Sequence, residues 1–200
     1  MKPFYKVLVT LIGPVFKLLF RIKAVGVENI PMDKGFILAA NHTSLTDPIF
    51  LAIKCKRQIY FMAKAELFKF PPFAWLIKKL GVFPVDRGKG DTGAITTAQN
   101  LVKEGKVLGI FPEGTRYLTG APRKAKSGVA YIAMDTKSDI LPVSIYREGK
   151  IRLFSKTIIR FGELIPFESM VQEGATQRTN IRNITTTVTE KITQLWEMKF

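Results

Sequence analysis

Histidine and cysteine each occur once in the 200 residues, as His42 and Cys55. A single cysteine cannot close an internal disulfide, which excludes a stapled secreted scaffold. One cysteine and one histidine do not make a conventional zinc site, so no metal is expected. Negative charge is scarce: 16 Asp and Glu stand against 31 Lys and Arg, a formal net charge of +15. The uncharged N-terminal run Val7 to Phe16 has 10 residues, short of the ~20 that span a bilayer. What the chain does have is a 46% hydrophobic composition, ample for the core of one domain. Its basic excess points to a polyanion: nucleic acid, an acidic membrane surface or a phosphorylated substrate. With no helix-turn-helix, zinc-finger or aromatic RNA-binding motif, and basic residues dispersed along the chain, nucleic acid is not an expected partner.

The stretch Asn41-His42-Thr43-Ser44-Leu45-Thr46-Asp47-Pro48 organises the rest. It follows the apolar run Phe36 to Ala40, which reads as a buried strand, and precedes Pro48 to Ile53, which reads as the start of a helix. Ligand sites of α/β folds lie at such strand ends. Five residues on one regular helix place side chains about 140° apart. His42 and Asp47 therefore meet only if His42 lies in the turn and Asp47 at the helix start. A carboxylate beside an imidazole fixes its tautomer and makes it a general base. Asp47-Pro48 equally fits a helix N-cap followed by proline, with no catalytic role.

At 100° per residue, Lys2, Lys6, Thr10, Lys17 and Arg21 fall within an arc of about 100° on an N-terminal helix. Phe4, Val7, Leu8, Leu11, Ile12, Val15, Phe16, Leu18 and Leu19 cover the other faces. A wide apolar face with a basic stripe describes a helix lying in the membrane interface, drawn to anionic lipids. A helix packed on the domain and a secretory leader are the competing readings; no small-residue cleavage site follows. Pro14 is expected to kink the helix or split it into a pair.

Farther along, Val25 to Pro31 reads as a strand, as do Gln58 to Ala63, Gly81 to Arg87 and Val107 to Phe111. Pro71-Pro72 reads as interrupting a helical stretch. The segment from Phe68 to Leu80 is rich in aromatics and lysine and fits core, an acyl-chain wall or membrane contact. After Phe111 comes Pro112-Glu113-Gly114-Thr115-Arg116, in which Gly114 permits a tight turn and Arg116 offers a planar fork of donors. With Lys126 close behind, this is a phosphate-binding layout, though basic loops are more often simply solvated. Pro142 in the strand Asp139 to Tyr146 suggests an edge or irregular strand. Residues 176–198 read as a polar terminal helix. The elements together predict a single-domain α/β fold with a mostly parallel central sheet flanked by helices, behind the N-terminal interfacial helix or helix pair.

Four blocks stand in the order and spacing of the glycerolipid acyltransferases: Asn41 to Asp47, Gly81 to Arg87, Phe111 to Arg116, and Leu141 to Ile145. The chain resembles the bacterial 1-acylglycerol-3-phosphate acyltransferases of that family. The resemblance implies a membrane-interface segment at residues 1–23 and an acyltransferase domain at 24–200. It implies His42 as general base with Asp47 orienting it. It also places Glu113, Gly114, Thr115 and Arg116 on the phosphate of lysophosphatidic acid, with Arg87 contributing; Lys126 is added from its position. Acyl-CoA or acyl-carrier protein would be a co-substrate, with no bound cofactor, and the enzyme would sit as a monotopic or peripheral protein on the cytoplasmic face of the cell membrane.

Overall fold

The first half of the chain forms α1 (Pro3–Phe20), β1 (Ile22–Val25), β2 (Phe36–Ala40), α2 (Asp47–Lys54), β3 (Ile59–Lys64), α3 (Pro71–Lys79) and β4 (Phe83–Val85). The second half adds α4 (Thr92–Lys103), β5 (Val107–Ile110), α5 (Gly128–Thr136), β6 (Ile140–Arg147), β7 (Thr157–Phe161), α6 (Phe167–Met170) and α7 (Gln177–Glu197). The structure is a computed structural model that describes residues 1–86, 91–117, 120–147, 149 and 152–198.

The strands make one sheet in the order β1-β7-β6-β2-β5-β3-β4, parallel throughout except for β6 against β7. β2 is the central strand, and all five of its residues are buried. Its alternating side chains serve two cores, as the period of two requires. Ile37 and Ala39 face α4, α5 and α7. Phe36, Leu38 and Ala40 face the opposite layer, where Phe50 and Leu51 of α2 and Phe16 and Phe20 of α1 pack. Sheets buried on both faces carry such continuous apolar runs. Because β5 and β6 flank β2 in parallel, the loops leaving the carboxyl ends of three strands converge at one edge.

Several local expectations change. β1 begins at Ile22, so it straddles the 23/24 boundary, and Val27–Asn29 is a 3₁₀ turn rather than a strand. Pro71 and Pro72 open α3 instead of interrupting a helix, since the first turn needs no proline N–H. Pro14 leaves α1 as one helix over Pro3–Phe20 rather than a pair. β6 is an interior strand despite Pro142. The Pro142 carbonyl accepts from Gly162 N at 2.8 Å, just beyond the last β6–β7 pair, Val143 with Phe161. Pro142 and Gly162 continue that register, and proline leaves the pair with this one bond; because a strand residue's N and C=O point to the same side, the gap faces β7 and the pairing with β2 is untouched.

α1 lies along the domain. Tyr5 is buried, Gly13 packs against Ile53 of α2, and Phe16 and Phe20 stand 6.3 and 5.2 Å from the Phe50 ring. Both ends are tied down: Lys2 N donates to Gln58 Oε1 at 2.8 Å, and the Leu19 carbonyl accepts from Phe154 N. Phe4, Val7, Leu11, Val15 and Leu18 remain exposed. At 100° per residue these five fall within an arc of about 80°. The apolar surface of α1 thus divides in two, with Phe16 turned to the core and a separate stripe turned outward.

Candidate active site

The polypeptide leaves β2 into a turn held by side chains. Asn41, buried at the strand end, receives Ile145 N on its Oδ1 at 2.7 Å and gives its Nδ2 to the Ile145 carbonyl at 3.0 Å. That exchange fastens the turn to β6. His42 follows, and its Nδ1 lies 3.0 Å from Oδ2 of Asp47, the first residue of α2. Since a carboxylate only accepts, Nδ1 carries the proton, and in the neutral ring Nε2 is then the nitrogen with the lone pair. The two residues meet across the turn as their spacing demands. Asp47 does not serve as a helix cap: Oδ2 turns back to take Thr43 N at 2.6 Å and Ser44 N at 2.7 Å, and Thr46 holds the cap position.

The second carboxylate oxygen accepts from Nη2 of Arg147, at the end of β6, at 2.8 Å. Asp47 is 0% exposed. Burial by itself pushes its carboxyl up, but the His42 hydrogen bond, the Arg147 charge and bond, and the Ser44 amide outweigh this and hold it below its ordinary value. The carboxylate is therefore anionic at neutral pH, as an orienting partner must be.

The imidazole is also held from the side. It stacks on Phe111 at 3.9 Å between centroids and 15° between planes, and Phe111 stacks on Phe61 at 5.6 Å and 9°. Gly109 makes this possible, because a Cβ there would come within 2.3 Å of the Phe61 ring. With its side chain 11% exposed, His42 offers one edge to the outside.

The loop after β5 wraps over the turn. Tyr117 N donates to the His42 carbonyl at 2.9 Å, and Lys126 N to the Pro112 carbonyl at 2.8 Å. Gly114 adopts a φ of +73°, and a Cβ at that position would lie 3.0 Å from Lys126 Nζ, so the lysine side chain crosses the glycine. Thr115 and Arg116 reach solvent beside it. Glu113 does not: its carboxyl points inward, 3% exposed, and Oε1 accepts from Arg123 N at 3.2 Å. Burial raises its pKa to about 7. Lys64 at the end of β3 adds a cation at the same edge, paired with Glu66 at 2.8 Å. Arg87 lies outside the described residues. Cys55 is buried, which pushes its thiol pKa up and suits an apolar filler. Among the described residues, no group of three or more His, Cys, Asp or Glu is placed to hold a metal ion.

The structure thus brings His42, Asp47, Glu113, Gly114 and Lys126 together, with Thr115 and Arg116 at the rim. Sequence reasoning missed Asn41, Phe111 and above all Arg147. A charged residue at a strand end looks like solvated surface, and nothing near it in the chain marks a partner 100 residues away.

A central parallel sheet with a buried carboxylate–imidazole pair at its carboxyl edge defines a class. Residues 21–146 match the family model described as Acyltransferase, and the chain belongs to that family. Among its relatives is the 1-acyl-sn-glycerol-3-phosphate acyltransferase of Bacillus subtilis, 33% identical over 159 residues, or 74% of this chain and 79% of that protein. The enzyme of the same name from Streptococcus pneumoniae is 38% identical over 120 residues, 58% of this chain and 44% of that one. In three dimensions the chain is similar to the crystal structure of a 1-acyl-sn-glycerophosphate acyltransferase from Thermotoga maritima. The TM-score is 0.74 with 28% identity, covering 95% of this chain and 78% of that one.

Proposed function

We propose that this protein transfers a fatty acyl group from acyl-CoA or acyl-carrier protein to the 2-hydroxyl of 1-acylglycerol 3-phosphate, giving phosphatidic acid. The observation that carries the reading is the 3.0 Å contact of His42 Nδ1 with a buried Asp47, in a chain whose relatives bear that enzyme's name. His42 Nε2 removes the proton from the hydroxyl, the alkoxide adds to the thioester carbonyl, and the thiolate leaves and recovers the proton. No acyl-enzyme is needed. Mass spectrometry of products from the purified protein with mixed thioesters tests it. Lysophosphatidic acid should be acylated in preference to glycerol 3-phosphate or lysophosphatidylcholine, and preference for either of those acceptors would overturn the assignment.

Arg116 and Lys126 supply positive charge beside the base, and Arg116 is exposed at the rim where a phosphate would enter. Losing one charge-assisted bond of about 1.5–3 kcal/mol corresponds to roughly 10- to 100-fold. Arg116→Ala is therefore expected to raise KM for the phosphorylated acceptor by that factor and leave KM for the thioester nearly unchanged. An equal rise in both counts against the phosphate role.

The same reading places the enzyme on the cytoplasmic membrane surface without crossing it. α1 is apolar and long enough to span by length and composition, with a mean hydropathy of 1.5 over 18 residues. Its tethered ends and its packing on α2 favour a helix that lies flat. Trp75 meets Phe4 at 5.8 Å, and with exposed Phe70 and Phe73 it extends the outward stripe of α1 into one apolar surface. Exposed Lys2, Lys6 and Lys17 flank it. Removing α1 would uncover Phe16 and Phe20 contacts of the core, so point variants make the cleaner test. Leu11→Glu and Leu18→Glu should each lower partition onto anionic vesicles by roughly 10-fold or more, from about 1.5–3 kcal/mol per buried leucine. At about 1 M salt wild-type binding should weaken but persist, because the apolar contribution is unscreened. Flotation unchanged in both variants would place the anchor elsewhere.

A further inference from the structure

We propose that Arg147 is a positioning residue of the acyl-transfer site, holding the Asp47 carboxylate in the orientation that presents Oδ2 to His42. The parallel pairing of β2 with β6 ends at Ala40 opposite Val143, and β6 then runs on to Arg147, which carries this residue to the edge where the His42 turn begins. By the alternation of a strand, Val143, Ile145 and Arg147 share the face turned toward Phe50 and the start of α2. The guanidinium is 3% exposed, its centre 5.6 Å from the Phe50 ring.

The fork grips two points of one turn. Nη2 donates to Asp47 Oδ1 at 2.8 Å, while Nη1 donates to the Thr43 hydroxyl. That hydroxyl lies 3.4 Å from both carboxylate oxygens. All the close bonds from the turn itself, from His42 Nδ1, Thr43 N and Ser44 N, fall on Oδ2. Bonds to one oxygen leave the carboxylate free to swing about it; a close bond on the other oxygen fixes the plane. Lysine, a single point donor on a flexible stem, cannot make both contacts of a rigid fork. Stability alone accounts poorly for the residue, since buried ion pairs are often matched or bettered by apolar residues of similar volume.

The arrangement also has an electrostatic consequence. Among the described residues, Arg147 from β6 and Glu113 from the loop after β5 face His42 and Asp47, and Arg116 and Lys126 stand beside them. Removing the Arg147 charge leaves Asp47 uncompensated, which favours the imidazolium form of His42 over the free base. The acid limb of the rate profile must then move to higher pH.

The proposal rests on the reading of His42 as base, and the test separates the two. The full chain is prepared as Arg147→Met and Arg147→Lys, and rates at varied substrate are followed from about pH 5.5 to 9. Because His42 is the only histidine, ¹H–¹⁵N NMR reads its ring without assignment work. Arg147→Met is expected to lose at least about 10-fold in kcat, with both KM values within about 3-fold. Its acid limb should move up by about 0.5–1 pH unit, and the low-field Nδ1–H resonance should shift upfield or broaden. Arg147→Lys should restore the acid limb but recover kcat only in part. A folded Arg147→Met with the wild-type kcat, pH profile and imidazole resonance overturns the proposal, whatever its melting temperature. If Arg147→Met does not fold, Arg147→Lys decides: a wild-type kcat and resonance overturn it, and a reduced kcat with a displaced resonance upholds it. Turnover surviving in His42→Ala would instead remove the base reading, while the imidazole resonance still reports whether Arg147 positions the pair.

Discussion

His42→Ala is expected to abolish acyl transfer, with turnover falling by about 10²- to 10⁴-fold, the range of a well-placed general base. No second imidazole exists in the chain to replace it. Asp47 has its oxygens committed to amides and Arg147, and Glu113 is buried and turned inward, so neither carboxylate substitutes. The fold should survive. His42 lies in a turn outside every helix and strand, and its chief packing contact is the Phe111 ring. Losing a stacked pair of about 0.5–1.5 kcal/mol lowers the melting temperature of a chain this size by about 1–6 °C. Turnover and a thermal melt on the same preparation check both parts. Residual activity above about a tenth of wild type would show that another group takes the proton.

Asp47→Asn should cost at least about 10²-fold in kcat and, unlike the histidine variant, a large share of the stability. An amide has one acceptor oxygen and one donor group of the same shape. If its oxygen faces the three donors of the turn, its NH₂ meets the Arg147 cation; reversed, the NH₂ meets His42 and two amide N–H groups. Either way a fully buried arginine or the turn loses its counterpart. Breaking one partner of a buried pair costs about 3–5 kcal/mol, which at this length lowers the melting temperature by roughly 6–20 °C. Activity is therefore compared well below the variant's melt.

The pH dependence has a definite sign. Asp47 is held below its ordinary value of 3.8 in the folded state, so its contribution is complete above that value and is lost as pH falls through the folded pKa. Wild-type stability should fall more steeply than that of Asp47→Asn below about pH 4. Parallel acid-unfolding curves would show that Asp47 is not the group whose charge the fold protects.

Much of the site is written locally. The run Phe36 to Ala40, followed by His42 and by Asp47-Pro48, specifies a buried strand, a turn and a helix start. Once those three are in place the five-residue spacing leaves the imidazole and carboxylate no other way to meet. Gly114 and the residues around it specify a turn after β5 for the same reason, since only neighbouring residues and their φ preferences are involved. Other features depend on what the chain packs against. The apolar surface of α1 is read as one face in sequence, yet Phe16 turns to Phe50 while Leu11 and Leu18 face out; the choice belongs to the surface of α2, not to the helix. Pro142 reads as an edge residue because its missing N–H would break a ladder, and it sits inside the sheet because that gap faces β7 near the end of their pairing and leaves the β2 side intact. Arg147 is the clearest case. Hydrophobic periodicity and turn chemistry act over a few residues, whereas its bond to Asp47 exists only because two parallel strands joined by long crossovers end side by side. Strand order and register bring the guanidinium to the carboxylate, and neither quantity is carried by any short stretch of the chain.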